Sequence, residues 1–202
     1  MKNFVNNQSF WDELYKNGNV GWDMKSSTPV FKSILKEQNF QTSDKLLILG
    51  SGFGYDAVEA AESGFDVTAV DFSKTAIEKA REIARKQDVK INFLVRDFFT
   101  LTEDFRDHFD IVYDYVTYCA IDPLRRKEYA EMISTILKCN GTFIGLWFPV
   151  ENRNDGPPFG INLNETQNIF SKHLELQLTL NHKDTIKPRR GREVLQVYKK
   201  LC

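Results

Sequence analysis

The sequence predicts an α/β protein, a three-layer α/β/α sandwich, and three observations predict it. Short apolar runs alternate with amphipathic helical segments. The first of these runs ends in a glycine-rich turn, and the last two can pair as a hairpin. Because a helix between two strands returns the chain to the same edge of a sheet, this alternation favours parallel strands. We expect a seven-stranded, mostly parallel sheet with an antiparallel strand in the C-terminal hairpin.

Prolines and capping residues mark the starts of the predicted helices. Ser9 is a candidate N-cap for a short helix over 9–17, and Pro29 suits the first turn of the next helix. Ser73 is placed to cap a longer helix whose apolar residues share one face. Further helices are expected over 54–63, from Pro123 to the Asn140-Gly141 pair, and over 163–170.

The predicted strands place a binding site at one edge of the sheet. The run at 45–49 ends in glycines, which is typical of a buried parallel strand. In such sheets ligands bind beyond the carboxyl ends of the strands, near the point where the strand order reverses. The other strands are expected at 66–70, 91–95, 109–115, 142–148, 174–180 and 194–198.

Length and charge limit the class of protein. The chain has 202 residues, which suits one domain, with a helical lid segment at 1–40 and a Rossmann-like core at 41–202. The net charge is -1, so no overall field draws the chain to nucleic acid or to an anionic membrane. The apolar runs are far shorter than the roughly 20 residues that a membrane helix needs. We therefore expect neither a nucleic-acid nor a membrane partner. A monomer is expected because no exposed apolar helix stripe is left unassigned.

Cysteines and histidines give no sign of a metal site. The three cysteines, Cys119, Cys139 and Cys202, are odd in number and form no CxxC motif. This argues against a disulfide framework and a structural zinc site and favours a cytoplasmic location. The three histidines show no metal-ligand spacing, so no metal is expected.

A glycine-rich loop ends the first strand. In the sequence LILGSGFGYD, Gly50, Gly52 and Gly54 form a GxGxG pattern that lets the backbone pass close to a ligand. A dinucleotide site is the alternative interpretation, but its GxGxxG pattern needs a glycine where this chain has Tyr55. No GKS or GKT follows the loop, which excludes a P-loop.

An acidic residue follows each of the next three strands. Asp71 is placed to accept hydrogen bonds from ribose hydroxyls. Asp97 offers an acceptor for an adenine amino group, and Phe98 offers a ring to stack on the base. Asp114 and Tyr115 end the fourth strand, over the expected reaction centre. These positions favour a ligand-binding loop over a plain strand–helix turn.

Two sets of motifs carry a resemblance to a known family. The GxGxG loop and its three acids resemble motif I and its companions in S-adenosylmethionine-dependent methyltransferases of class I. The segment FWDELYKNGNVGWD resembles the W-x3-[WY]-x6-W-D entry of the thiopurine methyltransferase superfamily, through Trp11, Tyr15, Trp22 and Asp23. The segments FDIVYDYVTYCAIDP, FPVENRNDGPPFGINL and KPRRGREVL resemble its thiol/halide methyltransferase branch.

The resemblance implies an enzyme that methylates a small-molecule or anionic acceptor. The methyl donor would be S-adenosylmethionine, leaving S-adenosylhomocysteine, and the acceptor a small soft nucleophile: thiol, bisulfide, thiocyanate or halide ion. Such anions are deprotonated or nearly so at neutral pH, so no catalytic acid–base pair is expected. A thiopurine or aryl thiol, tellurite or another metalloid, and a non-enzymatic sensor or scaffold that binds the cofactor stay open as alternatives.

The resemblance also assigns roles to residues. Tyr115 is the expected catalytic residue and orients the substrate, whereas Cys119 is interpreted as packing. The basic residues at 187–192 are interpreted as a solvated turn, and attraction of anions to the pocket is the less favoured alternative. Substrate-pocket residues are expected to be Tyr118, Trp147, Pro158 and Phe159. Cofactor contacts are expected from Trp11, Tyr15, Trp22, Gly50, Gly52, Gly54, Asp71, Phe72, Asp97, Phe98, Asp114 and Tyr115.

Overall fold

Parallel strands form the centre of the first of two compact units. In the computed structural model, which describes residues 4–37, 40–153 and 155–202, these units are Met1–Phe98 and Phe99–Cys202. The first holds β1 (Lys45–Leu49), β2 (Asp66–Asp71) and β3 (Asn92–Val95). Strand β2 pairs in parallel with both β1 and β3. The last four residues of β1 are all buried, as expected for a parallel strand covered on both faces.

The second unit contains four strands, and one of them runs antiparallel to both of its neighbours. Its strands are β4 (Phe109–Tyr115), β5 (Leu137–Trp147), β6 (Glu175–Leu180) and β7 (Val194–Lys199). Strand β5 is parallel to β4, and β7 is antiparallel to both β5 and β6. The sheet has seven strands in the order β3-β2-β1-β4-β5-β7-β6. The predicted mostly parallel sheet with an antiparallel strand in the C-terminal hairpin is therefore confirmed.

Two α-helices of the first unit, the first and the fourth, begin at capping side chains. The α-helices of this unit are α1 (Gln8–Lys16), α2 (Pro29–Glu37), α3 (Tyr55–Glu62) and α4 (Lys74–Lys86). The Ser73 hydroxyl accepts a hydrogen bond from the Ala76 N–H, so the predicted cap of α4 is confirmed. The predicted cap of α1 is wrong, because Ser9 already lies inside the helix. The N-cap is Asn7, whose extended backbone lets its side chain accept from the Ser9 N–H.

The helix predicted to end at Asn140-Gly141 ends earlier. A short 3-10 turn, Pro123–Arg125, leads into α5 (Arg126–Ile136), and the next residue already belongs to β5. Asn140 has φ of 60° and lies where the pairing of β4 with β5 shifts register. The Asn-Gly pair therefore forms a bulge inside a strand and not a helix C-cap. A strand bulge and a helix C-cap both favour a left-handed backbone. Helix α6 (Leu163–Phe170) has the predicted bounds.

One expectation about the cysteines is wrong. The structure joins Cys139 to Cys202 in a disulfide, with Cα atoms 5.1 Å apart, and leaves Cys119 buried and free. Backbone hydrogen bonds pair Asn140 and Gly141 with Lys200, which brings the two cysteines together. Within the described ranges, no helix has the length and apolar character to cross a membrane. The same ranges contain no group of three or more His, Cys, Asp or Glu side chains that could hold a metal ion.

Gly54 packs too tightly for a side chain, and we expect Gly54→Ala to destabilise the fold. Its φ is 78°, and a Cβ would lie 2.9 Å from Ala80 Cβ and 3.3 Å from the Phe93 ring. The left-handed backbone and the overpacking together should lower the free energy of unfolding by about 2–4 kcal/mol, measured by urea denaturation. Gly18 is the matched control, because its φ is 69° and a Cβ there would meet no atom within 4 Å. Gly18→Ala should cost only about 1 kcal/mol, and equal losses in both variants would contradict the packing argument.

Candidate functional site

In the first unit, the glycine loop and Asp71 hold each other in place. The Asp71 carboxylate accepts hydrogen bonds of 2.8 Å from the N–H groups of Gly52 and Ser73. Gly52 reaches this position with φ of 52°, a backbone conformation that favours glycine. Burial raises the pKa of Asp71 to about 6, although the N–H donors of Ser73 and Gly52 act to lower it. The carboxylate retains acceptor capacity for a further donor.

An aromatic cluster, Trp11, Tyr15, Trp22 and Phe53, lies against this loop. The Tyr15 ring centroid is 5.7 Å from that of Trp22 and 5.2 Å from that of Phe53. Trp11 joins through Trp22, with ring centroids 6.0 Å apart. The Trp22 indole N–H donates to the Tyr15 hydroxyl at 3.3 Å. A Cβ on Gly52 would lie 3.0 Å from that hydroxyl, so the loop needs glycine there. The structure thus brings together the three aromatic residues of the predicted entry motif.

Two acidic residues that the sequence analysis missed anchor the segment carrying these rings. The Asp12 carboxylate accepts from the Ser73 hydroxyl at 2.7 Å and from the Thr75 N–H at 2.9 Å. Burial acts to raise the pKa of Asp12, but these donors and Lys16 together lower it well below its ordinary value. The Asp56 carboxylate accepts from the Thr28 N–H at 2.7 Å, before α2. Neither contact has a signal in the sequence, since each joins residues far apart in the chain.

The other predicted cofactor residues of the first unit lie after β2 and β3. The Phe72 carbonyl accepts from the Gln8 side chain at 2.8 Å. Asp97 and Phe98 are half-buried and follow β3. The Ser51 hydroxyl oxygen is buried and has no hydrogen-bond partner among the residues that the structure describes. An unpartnered hydroxyl, a carboxylate with acceptor capacity and a cluster of ring faces suit a ligand with ribose hydroxyls and a positive charge.

In the second unit, Asp114 stabilises the turn after β4. Its buried carboxylate accepts from the Tyr129 hydroxyl at 2.6 Å and from the N–H groups of Thr117 and Tyr118. Burial raises the pKa of Asp114 to about 6, and the Tyr129 hydroxyl acts against that rise. Val116, inside the turn, has φ of 56°, which is unusual for a β-branched residue. The Asp114 side chain is fully buried, and its contact with a cofactor stays a prediction.

Tyr115 belongs to a buried network with Arg189 and Glu193. Its hydroxyl donates to the Glu193 carboxylate at 3.0 Å and accepts from the Arg189 guanidinium. Arg189 also lies 3.9 Å from Glu193 and over the Tyr115 ring, 4.9 Å from its centroid. Only 7% of Arg189 and 2% of Glu193 are exposed. The interpretation of the basic segment as a solvated turn is therefore wrong for Arg189, and Glu193 was missed altogether.

The predicted substrate-pocket residues divide into two pairs. Tyr118 and Trp147 are buried in the core of the second unit, with ring centroids 4.9 Å apart. Pro158 is exposed and Phe159 half-buried on the loop between β5 and α6. The Phe159 N–H donates to the carbonyl of Cys119 at 2.7 Å. The role of all four in a substrate pocket stays a prediction.

The Cys119 thiol has the properties of a packed side chain. It is buried, and burial raises its pKa to about 12, which disfavours the thiolate that a nucleophile requires. Its sulfur lies 3.2 Å from the carbonyl oxygen of Val116. These contacts are consistent with packing.

Comparison with known proteins places the chain in a family. The family model described as Thiopurine S-methyltransferase (TPMT) matches residues 6–201. A probable thiol methyltransferase 2 of Arabidopsis thaliana is 30% identical over 198 residues, covering 96% of this chain and 86% of that protein. A thiocyanate methyltransferase 1 of Brassica oleracea is 27% identical over 194 residues, covering 95% and 84%.

A solved structure has a fold similar to that of this chain. It is the 1,6-didemethyltoxoflavin-N1-methyltransferase of Burkholderia thailandensis with bound S-adenosylhomocysteine, at a TM-score of 0.77 and 19% identity. The match covers 96% of this chain and 87% of that one. The family match, in turn, runs from before α1 to beyond β7 and so includes the glycine loop, Asp71 and the Tyr115 network. On this ground, the chain is a member of the thiopurine S-methyltransferase family.

Proposed function

We propose that the protein transfers the methyl group of S-adenosylmethionine to a small soft nucleophile: a thiol, bisulfide, thiocyanate or halide ion. Family membership supports methyl transfer. The plant relatives, a probable thiol and a thiocyanate methyltransferase, support a soft acceptor that contains sulfur. The observation that carries the proposal is the aromatic cluster beside the glycine loop and Asp71.

The residues of the first unit are assigned to the cofactor, which supplies a methyl group already activated on a sulfonium. Asp71 accepts from its ribose hydroxyls, and Asp97 and Phe98 bind its adenine. The faces of the Trp and Tyr rings attract its positive charge. The glycine loop lets the backbone pass close to the cofactor at Gly50, Gly52 and Gly54. The remaining contacts with the cofactor are assigned to Trp11, Tyr15, Trp22 and Phe72.

The residues of the second unit are assigned to the acceptor. Tyr115 is the catalytic residue, because its hydroxyl is held by Arg189 and Glu193 in one orientation and can align a nucleophile. Asp114 contributes through the turn that fixes the end of β4. The side chains of Tyr118, Trp147, Pro158 and Phe159 are assigned to the wall of the acceptor pocket.

The proposal is tested by a panel of acceptors offered to the purified protein with S-adenosylmethionine. The readouts are S-adenosylhomocysteine and the methylated products in headspace gas. We expect turnover with iodide, thiocyanate, bisulfide and a small alkyl thiol. Tyr115→Phe should lower turnover, and Trp22→Ala should weaken binding of S-adenosylhomocysteine.

Other outcomes of the same panel support the alternatives. Turnover confined to an aryl thiol or a thiopurine would assign the protein to larger thiols, and turnover of tellurite alone would assign it to metalloids. Binding of the cofactor without turnover of any acceptor would favour a sensor or scaffold. Unchanged turnover and binding in both variants would show that the site is misplaced.

A further inference from the structure

We propose that Cys139 and Cys202 form a reversible redox pair, which small thiols of the glutathione class open by attack at Cys202 while the fold stays intact. The inference goes beyond methyl transfer and stands whether or not the proposed function is confirmed. The disulfide that the structure shows is one state of this pair. Exposed disulfides are typical of labile and regulatory bonds, because a thiolate from solvent can reach their sulfur atoms.

Both cysteines of the pair lie at the surface of the second unit. Cys139 is exposed near the start of β5, and Cys202 is exposed after the end of β7. Attack by a small thiol on either sulfur therefore needs no opening of the core. The third cysteine, Cys119, is buried, and burial raises its pKa to about 12, so it provides no competing thiolate near neutral pH.

Hydrogen bonds hold the end of β7 independently of the disulfide. The Asn140 N–H donates to the Lys200 carbonyl at 3.0 Å, and the Lys200 N–H donates to the Gly141 carbonyl at 2.9 Å. The Lys200 side chain also donates to the Leu137 carbonyl at 2.8 Å. Reduction would therefore release the segment after Lys200, which lies outside β7, and leave the pairing of β5 with β7 in place.

A hydrogen bond to one of the two sulfurs sets the order of attack. The side-chain N–H of Asn140 donates to the Cys139 sulfur at 3.6 Å. This donor stabilises a thiolate on Cys139 and so makes Cys139 the better leaving group. The incoming thiol therefore attacks Cys202 and forms a mixed disulfide there, while Cys139 leaves as the thiolate.

Atoms and electrons balance over two exchange steps. In the first, a glutathione thiolate forms a bond to the Cys202 sulfur, the bond between the two protein sulfurs breaks, and its electron pair goes to Cys139. In the second, another glutathione thiolate attacks the glutathione sulfur of the mixed disulfide and releases Cys202 as a thiolate. The two protein thiolates take protons from solvent. Two glutathione molecules are thereby oxidised to glutathione disulfide, which drives the reverse reaction.

The pair would couple the stability of the protein to the supply of small thiols. The disulfide joins residues 63 positions apart and restricts the unfolded chain, whose entropy rises when the bond opens. For a loop of this length, we expect reduction to lower the melting temperature by about 10 °C. The reduced protein should stay folded at room temperature, because the hydrogen bonds at Lys200 remain.

The test incubates the full chain in glutathione buffers and counts free thiols by alkylation and mass spectrometry. The buffers span the redox poise of the cytosol and that of the endoplasmic reticulum. We expect no thiol of the oxidised, folded protein to react, two thiols to react after reduction, and Cys119 to react only in urea. Both redox states should be populated within this range, and the melting temperature should fall as the reduced fraction rises.

Variants separate the parts of the mechanism. Cys202→Ser should have the melting temperature of the reduced wild type in every buffer, whereas Cys119→Ala should keep the difference between the two redox states. The mixed disulfide, captured by acid quenching early in reduction of the wild type, should map to Cys202. Asn140→Gly tolerates the φ of 60° and removes the donor, so it should slow reduction about 2–10-fold. Asp88→Gly, at a φ of 54° after α4, should leave the rate unchanged.

Several results would overturn the inference. A disulfide that stays closed in every glutathione buffer would be a permanent structural bond, and two thiols that never pair would exclude the redox pair altogether. Reaction of all three thiols together on reduction would show that opening requires unfolding. A mixed disulfide on Cys139, or an unchanged rate in Asn140→Gly, would overturn the order of attack. None of these results depends on methyl transfer, which the panel of acceptors tests separately.

Discussion

Replacing Arg189 with methionine is expected to lower the free energy of unfolding by about 3–5 kcal/mol, the cost of leaving a buried charge without its partner. Arg189 supplies the positive charge of the Tyr115 network, and its guanidinium lies 3.9 Å from the Glu193 carboxylate. Only 2% of Glu193 is exposed. Methionine fills a similar volume but supplies neither charge nor N–H donors. The Glu193 carboxylate would then keep the Tyr115 hydroxyl as its hydrogen-bond donor in the network and lose its counter-charge.

Urea denaturation measures this cost, and the neighbouring arginine provides the control. Arg190 is exposed and donates to the Thr185 carbonyl at 3.2 Å. Arg190→Met should therefore cost no more than about 1 kcal/mol. Adding Glu193→Gln to Arg189→Met should restore part of the loss, because the buried charge is gone. Similar losses for Arg189→Met and Arg190→Met would contradict the buried ion pair.

Asp71→Asn is expected to weaken binding of S-adenosylhomocysteine about 100-fold, since charge-assisted hydrogen bonds contribute about 1.5–3 kcal/mol each. The amide keeps only one acceptor oxygen, so it cannot satisfy the N–H groups of both Gly52 and Ser73. Its NH2 group would face one of these donors and disturb the glycine loop. Calorimetric titration measures the change. Asp66→Asn, at the exposed start of the same strand, should leave the affinity unchanged.

The same carboxylate should make cofactor binding depend on pH. Burial raises the pKa of Asp71 to about 6, so the acid is charged at pH 8 and increasingly protonated below pH 6. Donor hydroxyls favour the charged form, so protons compete with the ligand. The affinity for S-adenosylhomocysteine should therefore fall as the pH decreases through 6 towards 5, and Asp71→Asn should remove this dependence. A wild-type affinity that stays constant between pH 8 and pH 5 would contradict the assignment.

Local patterns account for most of the fold. The bounds of β4 and α6 could be predicted because an apolar run and a short helical pattern are properties of neighbouring residues. The Asn140-Gly141 pair was misinterpreted because a helix C-cap and a strand bulge both use left-handed backbone. The disulfide joins residues 63 positions apart, a distance over which spacing carries no information.

The candidate site likewise contains residues that local patterns could predict and residues that they could not. Asp71 ends its strand and contacts the glycine loop only 19 residues away, inside one strand–helix–strand unit, and so it could be predicted. Arg189 and Glu193 contact Tyr115 across 74 and 78 residues. In the sequence they lie among other basic residues, a pattern typical of a solvated turn. Only the three-dimensional structure distinguishes the buried arginine from its exposed neighbours.

The anchoring of Asp12 bears on how the aromatic cluster binds. Asp12 lies between Trp11 and Tyr15 on α1, and its bonds to Ser73 and Thr75 tie that helix to the start of α4. The two rings that α1 carries, Trp11 and Tyr15, are therefore preorganised before any ligand arrives. Ordering a loose side chain on binding costs about 0.5–1.5 kcal/mol, and here folding has already met that cost. Contacts between ring and ligand can then contribute directly to affinity.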